Sequence, residues 1–126
     1  MTRFQRFVPP AVAGLAAADI PRLKLKWAFA YPKAQRARSQ PSIGWGAVFV
    51  GSQDGTVYAL DLETGCMRWS FRASAEVRTA VVADPATERL YFGDVLARMY
   101  ALDAMTGKLV WKSKVDDHSN ATITGS

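Results

Sequence analysis

The sequence is poor in the residues from which covalent and metal-based sites are built. It contains one cysteine, Cys66, and one histidine, His118, among 126 residues. A single thiol cannot form an internal disulfide, and the chain has no CxxCH or paired CxxC segment, so it encodes neither a covalently attached haem nor a structural zinc site. We expect Cys66 to be a buried small apolar residue and His118 to lie in a surface loop.

Long apolar runs are also missing. Nowhere do 18 apolar residues follow one another, which excludes an ordinary membrane-spanning helix. The first 22 residues partly imitate a secretory signal peptide, but Pro9 and Pro10 interrupt their apolar run. We therefore interpret residues 1–22 as a leading arm with a short helical turn near residues 13–19.

Acidic residues are scarce in the first part of the chain. Residues 1–53 contain eight Lys or Arg and one acid, Asp19, so they carry +7 while the remainder carries −2. Such a surface can attract nucleic acid or acidic ligands, or it can simply be solvated. Because no RNA-binding or helix-turn-helix signature accompanies it, we predict no nucleic-acid partner.

What the sequence does contain is a repeated phrase. "ALDLETGCMRW", residues 59–69, returns as "ALDAMTGKLVW", residues 101–111, displaced by 42 residues, and Trp27 precedes Trp69 by the same interval. Self-similarity at such a period indicates a stacked-repeat architecture. The recurring pairs are Ala59 and Ala101, Leu60 and Leu102, Asp61 and Asp103, Thr64 and Thr106, Gly65 and Gly107, and Trp69 and Trp111.

Within each repeat, apolar and polar residues alternate in short runs separated by turn residues, which predicts β-strands. Four antiparallel strands in about 42 residues is typical of a β-propeller blade. We therefore predict an all-β fold, an incomplete propeller with blades at 38–72 and 78–114, an outer strand of a preceding blade at 23–29 and the start of a following blade at 120–126. The predicted strands are 23–29, 39–43, 47–51, 56–61, 67–72, 79–83, 89–93, 98–103, 109–114 and 120–124.

The repeated motif AxDxxTGxxxW predicts a fixed turn followed by a docking side chain. An aspartate at this position accepts hydrogen bonds from backbone N–H groups, the threonine adds its hydroxyl, and the glycine takes the left-handed conformation. The tryptophan then packs its large ring against a neighbouring blade. The predicted docking residues are Trp27, Asp61, Thr64, Gly65, Trp69, Asp103, Thr106, Gly107 and Trp111.

The two blades differ in the hairpin between their middle strands. The first has Asp54-Gly55, which favours a tight hairpin, whereas the second has Val95-Leu96-Ala97 at the matching place. Because it lacks the glycine, we expect the second hairpin to be looser or longer.

The phrase AxDxxTGxxxW, which follows "VGSQDGTVY", resembles the tryptophan-docking motif of the pyrroloquinoline quinone (PQQ) propeller repeat of quinoprotein alcohol dehydrogenases. The segments "QPSIGWGAVFVGSQDGTVYALDLETGC" and "VRTAV" are similar in particular to propellers of the polyvinyl-alcohol-dehydrogenase type. Propellers of this family usually have eight blades. The resemblance therefore implies that the chain is a fragment, a truncated reading frame or one piece of a larger assembly.

The resemblance implies a periplasmic or secreted dehydrogenase that oxidises a small or polymeric alcohol, with PQQ carrying the electrons. The alternative is a non-catalytic scaffold that binds proteins, like the outer-membrane assembly lipoproteins that share the repeat. We assign no catalytic residue to this chain, since those of the family would lie in further blades. Its expected partners are those blades or another chain, and we expect the chain alone to be neither active nor a tight PQQ binder.

In this family PQQ and Ca²⁺ lie where the inner strands converge. The cofactor is a tricarboxylate, and carboxylates are recognised by arginine, so the resemblance points to Arg78 and Arg38. Polar neighbours are expected to add hydrogen bonds: Ser39, Thr79 and Asn120, the last also as a possible calcium ligand. All of these residues could instead be solvated loop positions. Asp116 and Asp117 could be acidic calcium ligands or simply face water, and we assign no metal site.

Overall fold

The computed structural model describes residues 9–125, and most of their regular secondary structure is β-strand. Before the strands lie a one-turn helix, α1, at Pro10–Ala13 and a 3-10 helix at Ala17–Arg22, where we predicted one helical turn near residues 13–19. Eight strands follow: β1 at Ser42–Gly44, β2 at Ala47–Gly51, β3 at Thr56–Asp61, β4 at Met67–Arg72, β5 at Val82–Asp84, β6 at Arg89–Gly93, β7 at Arg98–Asp103 and β8 at Leu109–Lys114.

The strands form two four-stranded antiparallel sheets, in the orders β1-β2-β3-β4 and β5-β6-β7-β8. Their registers repeat: Ala59 pairs with Trp69 in the first sheet and Ala101 with Trp111 in the second, and a register shift follows each pair. These are two successive blades of an incomplete propeller, as predicted. Strands β2, β3, β4, β6, β7 and β8 have the predicted bounds, because turn residues mark both of their ends.

The inner strands are shorter than predicted, since β1 begins at Ser42 and β5 at Val82. At the predicted first residues, Ser39 and Thr79, side-chain hydrogen bonds take the place of the backbone hydrogen bonds of a regular strand pair. The Ser39 hydroxyl accepts a hydrogen bond from Gly51 N at 3.0 Å and donates to the Thr79 carbonyl at 2.7 Å. The Thr79 hydroxyl likewise accepts from Gly93 N at 3.1 Å. A hydroxyl that takes the N–H of the neighbouring strand leaves no regular ladder to extend.

Residues 23–29 and 120–124 are not strands, which differs from our prediction. An outer strand needs a middle strand of its own blade as a hydrogen-bonding partner, and the described residues place no such strand beside 23–29. Alternation along a sequence indicates which side chains share a face. It does not supply the partner backbone.

The core lies between the two sheets. Phe49, Val57 and Ala59 of the first sheet face Leu90, Phe92, Tyr100 and Leu102 of the second, and all are buried within one cluster. The Phe92 and Tyr100 rings stack at 4.9 Å, and Phe71 meets Tyr100 edge-on at 5.9 Å. Apolar side chains at every second position therefore join one blade to the next.

The second hairpin is as tight as the first, so our expectation of a looser loop was wrong. Asp94 N donates to Arg98 O at 2.9 Å, as Ser52 N does to Thr56 O at 2.9 Å. Ala97 takes the position of Gly55 with a φ of +56°. The fully buried Asp94 carboxylate holds this conformation, because its Oδ1 accepts from Leu96 N at 2.9 Å and from Arg98 N at 3.1 Å.

Cys66 and His118 are both exposed. The position of His118 agrees with the prediction, but that of Cys66 does not. Cys66 belongs to the turn rather than to a strand face, since its carbonyl accepts from Asp61 N at 2.8 Å and its N–H donates to the Thr64 hydroxyl at 3.3 Å. The turn directs the thiol towards solvent.

Candidate functional site

The repeated turn is closed by its aspartate in both blades. Asp61 Oδ1 accepts from Thr64 N at 2.9 Å and from the Thr64 hydroxyl at 3.0 Å, and Gly65 has a φ of +73°. Asp103 Oδ1 accepts from Thr106 N at 2.9 Å and from the Thr106 hydroxyl at 2.8 Å. Each turn therefore has the same local chemistry, which the short spacing within the motif dictates.

Hydrogen bonds and ion pairs lower the pKa of both turn aspartates. Arg68 forms a 2.8 Å ion pair with Asp61 and, with the turn N–H and hydroxyl donors, holds the pKa of that carboxyl well below its usual range. The Arg68 guanidinium also donates to the Trp45 carbonyl at 2.9 Å and so ties the turn to the β1–β2 hairpin. In the second blade, hydrogen bonds from Thr106 lower the pKa of Asp103, with a further contribution from Arg89.

Trp27 and Trp69 occupy equivalent places against the following turn. Trp69 Nε1 donates to the Ala104 carbonyl at 3.1 Å, and Trp27 Nε1 donates to the Leu62 carbonyl at 3.0 Å. Trp27 therefore has the position of an outer-strand tryptophan although its segment is not a strand. Trp111 is 43% exposed, as expected of a ring against which no further blade packs in the described residues.

An open apolar groove of about 500 Å³ lies on the face of the first sheet that points away from the second sheet. Its lining includes Val48, Val50 and Leu60, which correspond to Leu90, Phe92 and Leu102 by the 42-residue displacement. In the second sheet, Leu90, Phe92 and Leu102 are covered by the first sheet. The groove is thus a blade-packing face that Trp27 and its neighbours partly cover, and its apolar lining offers no charged group for an anionic ligand.

Among the candidate cofactor residues, Arg78 has an acidic partner. Its Nη2 donates to Glu76 Oε2 at 2.8 Å, and this hydrogen bond raises the pKa of Arg78. Thr79, the next residue, is buried, and its hydroxyl also donates to the Gly93 carbonyl at 3.2 Å. Arg78 therefore presents a charged group while Thr79 holds the backbone beneath it.

Arg38 and Asn120 are exposed, and among the described residues neither forms a hydrogen bond with Arg78. Among the described residues, Arg38 has neither a hydrogen bond nor an ion pair from its side chain. Asn120 lies in a loop, where its N–H donates to His118 Nδ1 at 3.2 Å.

The matching position in the third repeat is Thr124 rather than Asn120. Val77 N donates to Ser52 O at 3.2 Å, and Ile123 N donates to Asp94 O at 3.3 Å in the same arrangement. Thr124 therefore follows Ile123 as Arg78 follows Val77. Counting 42 residues from the first copies missed this, because the loop after β8 is longer than the loop after β4.

The described residues contain no group of three or more His, Cys, Asp or Glu side chains arranged to hold a metal ion. Asp117 pairs with Lys114 at 2.9 Å, and Asp116 accepts from His118 N at 2.8 Å. Residues 9–125 also contain no helix that is long and apolar enough to cross a membrane.

Comparison with known proteins places this repeat in a family. The profile of the PQQ_2 family, described as outer membrane protein assembly factor BamB, matches residues 11–126. The chain belongs to this family. The matched residues include the repeated turn motif and both four-stranded sheets.

Several relatives of this PQQ_2 chain are named as dehydrogenases. The chain is 42% identical to a polyvinylalcohol dehydrogenase of a Pseudomonas species over 90% of its length and 43% identical to that of Sphingopyxis sp. strain 113P3 over 98%. It is 33% identical to a quinoprotein ethanol dehydrogenase of Pseudomonas putida over 99% of its length. It spans only 18%, 19% and 21% of these three proteins, respectively.

Solved structures agree on the fold. BamB from Moraxella catarrhalis is 29% identical, with a TM-score of 0.53 over 60% of this chain and 23% of that protein. Sqt1 of Saccharomyces cerevisiae is 18% identical, with a TM-score of 0.56 over 67% of this chain and 23% of that protein, which supports the fold alone.

Proposed function

We propose that this chain forms part of a PQQ-dependent dehydrogenase that oxidises alcohols, of the polyvinyl alcohol type. The observation that carries the proposal is the 42–43% identity to two polyvinylalcohol dehydrogenases over nearly the whole chain. The matched region includes both blades and Arg78. Because it amounts to about a fifth of those proteins, the catalytic groups are proposed to lie in further blades, which also complete the ring.

The residues present fit one part of the cofactor. PQQ is a planar tricarboxylate whose quinone supplies the two-electron chemistry of alcohol oxidation when it is bound. Arg78 is proposed to hold one carboxylate by charge-assisted hydrogen bonds, and Thr79 and Ser39 fix the backbone from which it projects. Arg38 and Asn120 are proposed to add polar contacts from their exposed positions, and Ca²⁺ to be bound mainly by residues of other blades.

In this proposal residues 1–22 are a leading arm and residues 38–72 and 78–114 are blades. Residues 23–29, which form no strand in the described residues, would become the outer strand of a preceding blade once a middle strand of that blade pairs with them. The docked position of Trp27 supports the last assignment. The partners are further blades, on the same or another chain, and the substrate is a small or polymeric alcohol. The location that fits this chemistry is the periplasm or the cell exterior.

A chimera tests the proposed function directly. The corresponding segment of the Sphingopyxis polyvinylalcohol dehydrogenase is replaced by this chain, and dye-linked oxidation of polyvinyl alcohol is measured with and without PQQ. We expect PQQ-dependent activity that falls at least tenfold in Arg78→Ala. The matched control is Arg72→Ala, which removes a 65% exposed arginine paired with Asp54 and should leave activity unchanged.

The second candidate function is a protein-binding scaffold, favoured by the family description and by the likeness to the BamB structure. A chimera that is folded by circular dichroism and melts cooperatively, yet has no PQQ-dependent activity, would favour the scaffold. Equal activity of Arg78→Ala and the parent chimera would remove Arg78 from the cofactor site.

A further inference from the structure

Glu76 and Arg78 lie in the connection from β4 to β5, at the start of the inner part of the second blade. The Glu76 backbone is fixed, because its carbonyl accepts a hydrogen bond from Val95 N at 3.0 Å. The Glu76 side chain is 14% exposed and that of Arg78 is 36% exposed. The carboxylate is therefore on the protein side of the ion pair, and the guanidinium extends from it towards solvent.

The contact uses only part of the guanidinium. Nη2 of Arg78 donates to Glu76 Oε2 at 2.8 Å, while the neighbouring Arg78 Nε and Glu76 Oε1 are buried and have no hydrogen-bond partner among the described residues. An arginine has five N–H donors in a planar fork. Glu76 thus occupies one edge of the Arg78 guanidinium, through Nη2. The N–H groups on the opposite edge are left to donate to a second acceptor.

The first blade provides an internal comparison. Arg38 corresponds to Arg78 in the repeat, but the residue two positions earlier is Arg36, another exposed cation. In residues 9–125 the Arg38 side chain has no ion pair. Two arginines at equivalent positions therefore differ in whether an acid restrains them.

We propose that Glu76 is a positioning residue that orients Arg78 for a carboxylate-bearing ligand. This proposal rests on the proposed function, in which Arg78 binds a carboxylate of PQQ. A free arginine side chain samples many rotamers, and ordering them opposes binding. Glu76 removes most of that freedom before the ligand arrives.

Two physical effects of Glu76 on an anionic ligand have opposite signs. A nearby carboxylate repels an anion, so electrostatics alone predicts that Glu76→Gln tightens binding. Positioning predicts that Glu76→Gln weakens binding, because a neutral amide holds the guanidinium less firmly. The direction of the change therefore decides between the two effects.

The test is a titration of the 126-residue chain followed by ¹⁵N–¹H NMR of the Arg78 guanidinium signals, both Nε–Hε and Nη–Hη, assigned by their absence in Arg78→Lys. The probes are PQQ and benzene-1,3,5-tricarboxylate, which has three carboxylates but no quinone, each up to millimolar concentration. We expect Kd to rise at least threefold in Glu76→Gln. The matched control, Glu88→Gln, removes an equal charge at an exposed position and should leave Kd unchanged.

Backbone amide dispersion shows whether each variant is folded. If Glu76→Gln does not fold, Glu76→Asp, which keeps the charge but shortens the side chain, carries the same expectation of weaker binding.

An equal or lower Kd in the folded variant overturns the proposal. Binding of benzene-1,3,5-tricarboxylate but not of PQQ, with the same weakening, would support positioning and contradict PQQ as the ligand. Although we expect no tight binding by the chain alone, both proposals require a weak interaction, so they are overturned if neither probe shifts the Arg78 signals of the parent chain at millimolar concentration.

Discussion

The indole ring of Trp69 lies against the α-carbon of Gly107, so closely that a Cβ added to Gly107 would be 2.6 Å from Trp69 Cδ2. The same relationship joins Trp27 and Gly65, where the distance would be 2.7 Å. The glycine of the motif therefore has two functions, since it takes the left-handed turn conformation and leaves room for the ring of the preceding blade.

Gly107→Ala is expected to destabilise the chain by about 2 kcal/mol or more, because the new methyl group must displace the Trp69 ring as well as occupy a left-handed conformation. The control is Gly46→Ala. Gly46 has a φ of +67° like the +69° of Gly107, but a Cβ added there would meet only Arg68 Nη2, at 3.3 Å, which is a much looser contact than the 2.6 Å to the Trp69 ring. Urea denaturation should give a loss of only about 1 kcal/mol for Gly46→Ala. Equal losses would show that the ring contact contributes nothing.

Trp69→Ala is expected to cost roughly 3 to 5 kcal/mol of unfolding free energy, because it empties the space between the blades. Trp111→Ala is the matched change on an exposed ring and should cost about 1 kcal/mol or less. The midpoint and slope of urea denaturation measure both. If Trp69→Ala unfolds at the same midpoint as the parent chain, the motif does not stabilise the blade pair through its tryptophan.

Asp94→Ala is expected to cost about 3 kcal/mol, since it leaves the partly buried N–H groups of Leu96 and Arg98 and the buried Tyr100 hydroxyl, which donates to Asp94 Oδ2 at 2.7 Å, without an acceptor. It also removes the support for the left-handed Ala97. Adding Ala97→Gly to this variant should therefore recover about 1 kcal/mol, because glycine takes that conformation without strain. Thermal denaturation of the single and double variants measures the recovery, and its absence would mean that Asp94 does not hold the hairpin.

Stability is expected to fall in acid partly because of Asp61. Its pKa is lowered in the folded state from a reference of 3.8, chiefly by Arg68, so protons bind the unfolded chain more readily. The contribution of Asp61 is complete only above about pH 5, roughly one unit above the unfolded pKa, and is lost progressively as the pH falls towards the lower pKa of the folded state. Melting temperatures between pH 7 and pH 2.5 should decline less steeply in Asp61→Asn than in the parent chain. Parallel curves would contradict a coupled Asp61.

The candidate site was only partly accessible from sequence. The position of Arg78 before an inner strand predicts it as a cofactor contact, but the sequence does not single out Glu76, because a glutamate in a loop has no distinctive pattern. The signal was nevertheless present as "EVR", an acid two residues before the arginine. Asn120 was placed where Thr124 lies, because insertions in loops break a fixed spacing and only the contact of Ile123 with Gly93 restores the register.

By itself the sequence determined the features that depend on neighbouring residues. The turns around Asp61 and Asp103 and the strands between them follow from side chains that hydrogen-bond within three residues and from alternation at every second position. Tertiary structure alone decided features that require a distant partner. The inner strands begin later than predicted because the Ser39 and Thr79 hydroxyls hydrogen-bond to backbone groups of other segments. Trp27 docks without forming a strand because its ring packs against Gly65 while its backbone has no adjacent strand with which to pair. Such contacts join residues far apart in the chain, so no local pattern encodes them.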